Sequence, residues 1–291
     1  MTKPIATVSR TRQIMDKHRL SFKKSLGQNF IIDVNILKKI IKKAEVDEET
    51  IVIEIGPGIG ALTEQLAQTA KHVYAFEIDQ RFIDVLQQEL NPYENITIFN
   101  EDILEADLDA LIQDVEGEKI KVVSNLPYYV TTPILMKLLT DELPISSYTV
   151  MMQKEVAERM AAKPSTKEYG SLSIAVQFYT TSEIVMSVSP SCFMPQPNVE
   201  SAILKLTKRE QPIVDVLDRA LFFEIVKASF EQRRKTIKNN LGRHFKERLG
   251  KDELEVIFQK SSIDPTRRGE SLSIKEFASL ANTFYHHLTR H

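Results

Sequence analysis

From residue 33 to about residue 206, short and almost unbroken apolar runs alternate with amphipathic stretches; beyond that, only amphipathic stretches remain. Ile51–Ile55, Val73–Phe76, Ile96–Phe99, Ile120–Ser124 and Tyr148–Met152 read as strands, each short and rich in β-branched or aromatic residues. Between them lie apolar residues at helical spacing. The first such set, Ile36, Leu37, Ile40 and Ile41, follows an N-cap at Asp33; Leu62 and Leu66 form the second, and Phe82, Ile83, Val85 and Leu86 the third. Residues 105–114 and the set Ile134, Leu135, Leu138 and Leu139 complete the series. Strands and helices alternating at short intervals predict an α/β fold with a doubly wound, Rossmann-like parallel sheet. A helix over 169–180, a strand at Ile184–Val188, a proline-rich turn from Pro190 to Pro197 and a strand at Ser201–Leu206 predict an antiparallel terminal strand pair. Lys208-Arg209-Glu210-Gln211-Pro212 marks a boundary. The expected organisation is a basic N-terminal arm over 1–30, the α/β domain over 31–209, and a small all-helical domain over 210–291.

Charge changes this picture. The net charge is only −2, but residues 1–30 carry seven Lys/Arg against one acid, residues 31–120 seven against twenty, and residues 227–251 nine against two. Basic regions flanking an acidic middle suit a polyanion grip around a site for something small or cationic. One cysteine, Cys192, excludes an internal disulfide framework, and it reads as a small buried apolar residue rather than a nucleophile. The six histidines have no metal-ligand spacing, so no metal is expected. There is no apolar run of membrane-spanning length and no signal-peptide pattern, so the cytoplasm is the expected location.

Candidate chemistry begins after the first strand. Gly56, Gly58 and Gly60 fall within five residues there, where glycines let the backbone turn sharply and approach a ligand ahead of a helix N-terminus. Glu77 closes the second strand, placed to grip a ribose hydroxyl pair, and Asp102 follows the third. The spelling Glu-x-Gly-x-Gly-x-Gly is not that of dinucleotide folds, and no Gly-Lys-Ser/Thr signals a nucleotide triphosphate. S-adenosylmethionine is a cofactor that needs such a site.

Asn125-Leu126-Pro127-Tyr128 ends the fourth strand. A carboxamide, backbone carbonyls beside a proline and an aromatic ring suit a flat, amine-bearing base. The lone pair of such an amine is delocalised into the ring. Asn125 Oδ1 and a carbonyl of Leu126 or Pro127 would accept its two N–H bonds, contacts that strengthen as positive charge builds on nitrogen. Tyr128 is placed to stack on the base. Phe193, in the stiff turn Phe193-Met194-Pro195-Gln196-Pro197, is the candidate for the opposite wall.

These motifs resemble the KsgA/RsmA ribosomal RNA adenine dimethyltransferases over essentially the whole chain. The resemblance rests on Leu26-Gly27-Gln28-Asn29-Phe30, Glu54-Ile55-Gly56-Pro57-Gly58-Ile59-Gly60, Glu77-Ile78-Asp79, Asp102, Asn125–Tyr128, and the set Phe193, Pro195, Pro197, Val199 and Ser201. It implies a class I S-adenosylmethionine-dependent methyltransferase fold and N6,N6-dimethylation of two adjacent adenosines near the 3′ end of 16S ribosomal RNA. The implied partner is the immature small ribosomal subunit, and the enzyme is expected to be a monomer. Cofactor contacts are implied at Asn29, Ile31, Gly56, Gly58, Glu77, Asp102 and Asn125. Related DNA enzymes carry proline at the second motif position, so Leu126 points to RNA. Phe230-x-x-Arg233-Arg234-Lys235-Thr236 is also family-like, and Arg233, Arg234 and Lys235 are expected on RNA phosphates. Two alternatives stay open: an Erm-type enzyme acting on 23S RNA, and a non-catalytic subunit-assembly factor.

Overall fold

The structure is a computed structural model that describes residues 3–21 and 28–289. In chain order it begins α1 (Val8–Lys17), β1 (Phe30–Ile31), α2 (Val34–Ala44), β2 (Thr50–Ile55), α3 (Ala61–Ala67), β3 (His72–Phe76) and α4 (Gln80–Glu89). It continues with β4 (Ile96–Phe99), α5 (Leu108–Gln113), β5 (Lys119–Asn125), α6 (Thr131–Thr140), β6 (Ile145–Gln153) and α7 (Lys154–Ala161). Then come α8 (Ser171–Tyr179), β7 (Thr180–Val188), β8 (Phe193–Met194), β9 (Ser201–Lys208), α9 (Arg219–Ser229), α10 (Ile237–His244), α11 (Lys251–Ser261) and α12 (Ile274–Leu288). Contacts divide the chain into two compact units, Met1–Ala157 with Ser182–Lys208, and Glu158–Thr181 with Arg209–His291. Among the described residues no helix is long and apolar enough to cross a membrane.

The first unit is built on a sheet of order β4-β3-β2-β5-β6-β9-β7. β2 pairs in parallel with β3 on one side and β5 on the other, and β4 and β6 extend the parallel set outward. β9 returns antiparallel to β6, from Ser147↔Thr207 to Gln153↔Ser201. After β2 the chain builds toward β4, then comes back to lay β5 on the other side of β2. That reversal opens a crevice at the carboxyl ends of β2 and β5, where open α/β sheets bind ligands. Every residue of β2 is buried, Glu54 included, as expected of a central parallel strand covered on both faces.

The described part of residues 1–30 corrects the expected arm. Thr7 caps α1 by accepting from the Arg10 N–H, and Ile5, Ile14 and Met15 join the same core as Leu37 and Ile40. Arg10, Lys17 and His18 converge on Glu89 of α4, whose side chain is 2% exposed. Burial pushes the Glu89 carboxyl up, but the pull of Lys17, Arg10 and His18 outweighs it and holds the group below the ordinary glutamate range. The basic residues that suggested an arm therefore partly serve to dock a helix. Leu26 and Gly27 lie outside the described residues.

In the second unit, Tyr169, Ile174 and Phe178 share a core with Phe222, Ile225, Phe258 and Phe284. The buried Tyr169 hydroxyl donates to the Leu272 carbonyl at 3.0 Å. Residues 158–181 thus belong with the C-terminal helices, so the expected single boundary at 209 is corrected to one that the chain crosses three times. The cause is long-range packing, which local periodicity does not report.

Candidate active site

The carboxyl ends of β2, β3 and β4 are locked in line by backbone bonds from Gly56 N to Phe76 O at 2.8 Å and from Glu77 N to Phe99 O at 2.9 Å. At Gly58 the chain has φ +58°, and a Cβ there would stand 2.8 Å from the Phe30 ring, so only glycine fits without moving that ring. Its N–H donates to Glu77 Oε2 at 3.1 Å, while the Asp79 N–H donates to Oε1 at 2.8 Å. Burial raises the Glu77 pKa, with those two backbone donors opposing the rise. The side chain of Glu77 is thereby fixed between the glycine loop and the start of α4.

These residues line a cavity of about 260 Å³. Asn29, Ile31, Gly56, Gly58, Glu77, Asp102, Asn125, Leu126, Pro127 and Tyr128 all line it. Its acids are Glu54, Glu77, Asp79 and Asp102, and no Lys, Arg or His is among the described lining residues. Asp79 is paired with Arg81, and the remaining acids, with no cation among the described lining residues, suit a positively charged ligand and disfavour a phosphate. Glu54 is the residue that sequence reasoning passed over. It is 1% exposed, and its Oε2 has no hydrogen-bond partner. Burial pushes its pKa up to about 8, Glu77 adding to the rise and the Thr63 hydroxyl opposing it. An acid inside an otherwise apolar central strand was the available signal, since such a carboxyl needs a partner.

Asn125 ends β5 opposite Met151 of β6. Its Nδ2 donates to the Asn29 carbonyl at 3.3 Å, an orientation that leaves Oδ1 as the acceptor. Leu126 is buried and its N–H bonds Met151 O at 3.0 Å, so its carbonyl is the one polar group it has left. The Pro127 carbonyl already accepts from Thr131 Oγ1 at 2.9 Å and from Val130 N at 3.2 Å. The Tyr128 hydroxyl is tied to Ser201 Oγ of β9 at 2.5 Å. Tyr129, also missed, lines the same cavity and is 56% exposed, a large aromatic at the rim.

Phe193 is not brought to the cavity surface. It is 1% exposed and sits in the core, in β8, where its backbone pairs with Ile31 of β1. The expected opposite wall is instead one layer behind: Phe193 backs the strand whose Ile31 and Phe30 line the cavity. Proline stiffness alone did not reveal which way the aromatic turns. Arg233, Arg234 and Lys235 belong to the second unit. All three are exposed, but Arg233 Nη2 also donates to the carbonyls of Lys167 at 2.5 Å and Tyr169 at 3.4 Å.

The family model described as "Ribosomal RNA adenine dimethylase" matches residues 19–285. The chain belongs to that family. A relative from Geobacillus sp. (strain WCH70), named "Ribosomal RNA small subunit methyltransferase A", is 58% identical over 98% of this chain and 99% of its own. One from Oceanobacillus iheyensis with the same name is 55% identical over 99% of each. Among solved structures, a dimethyladenosine transferase from Plasmodium falciparum superimposes with TM-score 0.74 at 25% identity, covering 89% of this chain and 98% of that one. The 23S rRNA methyltransferase ErmE gives TM-score 0.65 at 26% identity, covering 88% and 99%. As a member of the ribosomal RNA adenine dimethylase family, the protein is a ribosomal RNA methyltransferase.

Proposed function

We propose that the protein uses S-adenosylmethionine to dimethylate the N6 amines of two adjacent adenosines in a loop near the 3′ end of 16S ribosomal RNA, acting on the immature small subunit. The observation that carries this reading is the pair of vacant acceptors at the end of β5. No described residue donates to Asn125 Oδ1 or to the Leu126 carbonyl, while the neighbouring Pro127 carbonyl is doubly engaged. One exocyclic amine has two N–H bonds to give, and this pair takes both.

The cavity fits the cofactor on its own chemistry. S-adenosylmethionine carries a sulfonium and an ammonium, and it supplies an activated methyl group. Glu54, with its orphaned buried oxygen, and Glu77 and Asp102 are the carboxylates that would hold it, with Gly56 and Gly58 admitting close backbone approach. Asn125 and Leu126 orient the amine and stabilise the charge that builds on nitrogen, so they bind more strongly as the reaction proceeds. Burial raises the Tyr128 pKa, with Ser201 opposing the rise; a neutral, anchored ring suits stacking on the extruded base. Protein groups here position and exclude water, and none needs to act as a strong base.

The test is transfer of labelled methyl groups to under-methylated small ribosomal subunits, with mapping of the product. Dimethyladenosine at two adjacent 16S positions is the expected result. Transfer to 23S RNA instead would move the substrate to that of ErmE, and transfer to neither would reduce the protein to an assembly factor.

A further inference from the structure

Seven basic residues lie between positions 31 and 120, amid twenty acids. Three of them are ion-paired: Lys71 with Glu118, Arg81 with Asp79 and Lys119 with Asp47. The other four are Lys38, Lys39, Lys42 and Lys43, all exposed and all on α2. None of the four forms an ion pair with a described residue. At about 100° per residue they span an arc of roughly 140° directly opposite the buried Leu37, Ile40, Ile41 and Ala44.

Structural duties do not account for this face. Of the acids that follow the helix, Glu45 is engaged with Lys205 at 3.0 Å and Asp47 with Lys119 at 2.5 Å, and neither Glu48 nor Glu49 pairs with the four lysines. The C-terminal carbonyls of Ala44 and Glu45 accept from Lys121 Nζ at 2.7 and 2.8 Å, so Lys42 and Lys43 are not needed as caps. Lys38 and Lys42, and Lys39 and Lys43, are like charges at i,i+4, a spacing that destabilises a helix. α2 contains no acid to relieve them. A cluster that costs helix stability, in a region rich in acids that leave it alone, has the character of a surface kept for a polyanion.

We propose that the Lys38–Lys43 face of α2 binds the phosphate backbone of the substrate RNA. The inference rests on the proposed RNA substrate and adds a contact surface within the first unit itself. RNA is favoured as the occupant because α2 starts at the site: its N-cap Asp33 is two residues from Ile31, which lines the cavity. At 1.5 Å per residue the lysines stand about 6–14 Å along the helix from its start, within reach of nucleotides flanking a base held at Asn125. The face would track the strand entering or leaving the pocket, contributing affinity without sequence selectivity.

The experiment compares the full-length protein with the K38Q/K39Q/K42Q/K43Q variant and its four-arginine counterpart. RNA affinity is measured on under-methylated 16S RNA and small subunits from 50 to 250 mM salt. With about 0.7–0.9 of slope per phosphate contact, neutralising four lysines should remove roughly 3–3.5 from the log–log salt slope, and the arginine variant should retain it. S-adenosylhomocysteine binding should stay at the parental value in both, and the melting temperature should stay in the arginine variant and hold or rise slightly in the glutamine variant, which relieves the like-charge pairs. An unchanged salt slope in the glutamine variant overturns the inference, and so does weakened binding to subunits with unchanged binding to naked RNA, which would assign the face to an acidic protein. If the parental protein neither binds nor methylates the RNA, it is the proposed function that fails.

Discussion

Thr131 Oγ1 donates to the Pro127 carbonyl at 2.9 Å, beside the Val130 N–H at 3.2 Å, so in the proposed function the backbone oxygen left for a substrate amine is that of Leu126. Pro127 is spent, and Leu126 is available beside Asn125. On that reading, a threonine in the first turn of α6 helps to set the acceptor pair.

Removing the acceptor itself gives the first prediction. Asn125→Ala should lower kcat by about 100-fold or more, as losses of transition-state hydrogen-bond partners do, while S-adenosylhomocysteine affinity changes little. Single-turnover methyl transfer together with calorimetric titration separates the two. Equal losses in both would make Asn125 chiefly a cofactor ligand.

Glu54 carries a pH prediction. Its folded pKa is raised from the ordinary 4.5 to about 8, so the carboxyl is neutral at pH 6.5 in the empty protein. Ionising it disfavours the fold, and stability of the empty protein should therefore decline as pH rises from the glutamate range to about 8 and then level off. A cationic cofactor favours the ionised form, so its affinity should strengthen across the same interval, with proton release. Titrations in buffers of different ionisation enthalpy report that release. Glu54→Gln should flatten both slopes, and a parental protein that releases no proton would contradict the assignment.

The two tyrosines separate stacking from anchoring. Tyr128→Phe loses only the bond to Ser201 and should cost about 1 kcal/mol of stability, the worth of one hydrogen bond, with turnover near normal. Tyr128→Ala should lower kcat/KM by about 5- to 150-fold, matching 1–3 kcal/mol for a lost base stack. Tyr129→Ala, at the rim, should raise KM for RNA more than it lowers kcat. A Tyr128→Phe enzyme as crippled as Tyr128→Ala would show that the hydroxyl does chemistry.

In the helical unit, neighbouring basic residues should behave differently. Arg233→Ala strips donors from the carbonyls of Lys167 and Tyr169 and should lower stability by about 1–2 kcal/mol. Neutralising Arg234 and Lys235 should leave the melting temperature in place and flatten the RNA salt slope by about 1–2. Denaturant melts alongside filter binding would reveal the contrast. A salt slope unmoved by the double variant would make that pair a solvated surface.

The strands β2 to β6 and the helices between them were legible because each carries its own periodicity and is punctuated by Asp, Gly or Pro. The cavity was legible for the related reason that its residues sit at strand ends, so that finding the strands located Gly56, Glu77, Asp102 and Asn125. What escaped depends on contacts between distant segments. Residues 1–30 read as a basic arm because the cations of α1 conceal Ile14 and Met15, and their counter-charge, Glu89, is seventy-odd residues away. Residues 158–181 gave no local sign that their partners lie beyond residue 209. Phe193 was placed on the cavity by its motif, yet the β1–β8 pairing turns it into the core. Glu54 was in plain view within its motif, but its importance lies in having no partner, which only three-dimensional packing reveals.

The pairing of Phe30 and Ile31 with Met194 and Phe193, together with the bond from Tyr128 to Ser201, has a consequence for the newborn chain. Both walls of the pocket are held by residues from the last strands of the first unit. A nascent chain that has already made its glycine loop and its Asn-Leu-Pro-Tyr turn still has neither wall secured. Competence to bind should arrive late and abruptly in synthesis, once residues 201–208 have cleared the exit tunnel and β9 has docked on β6.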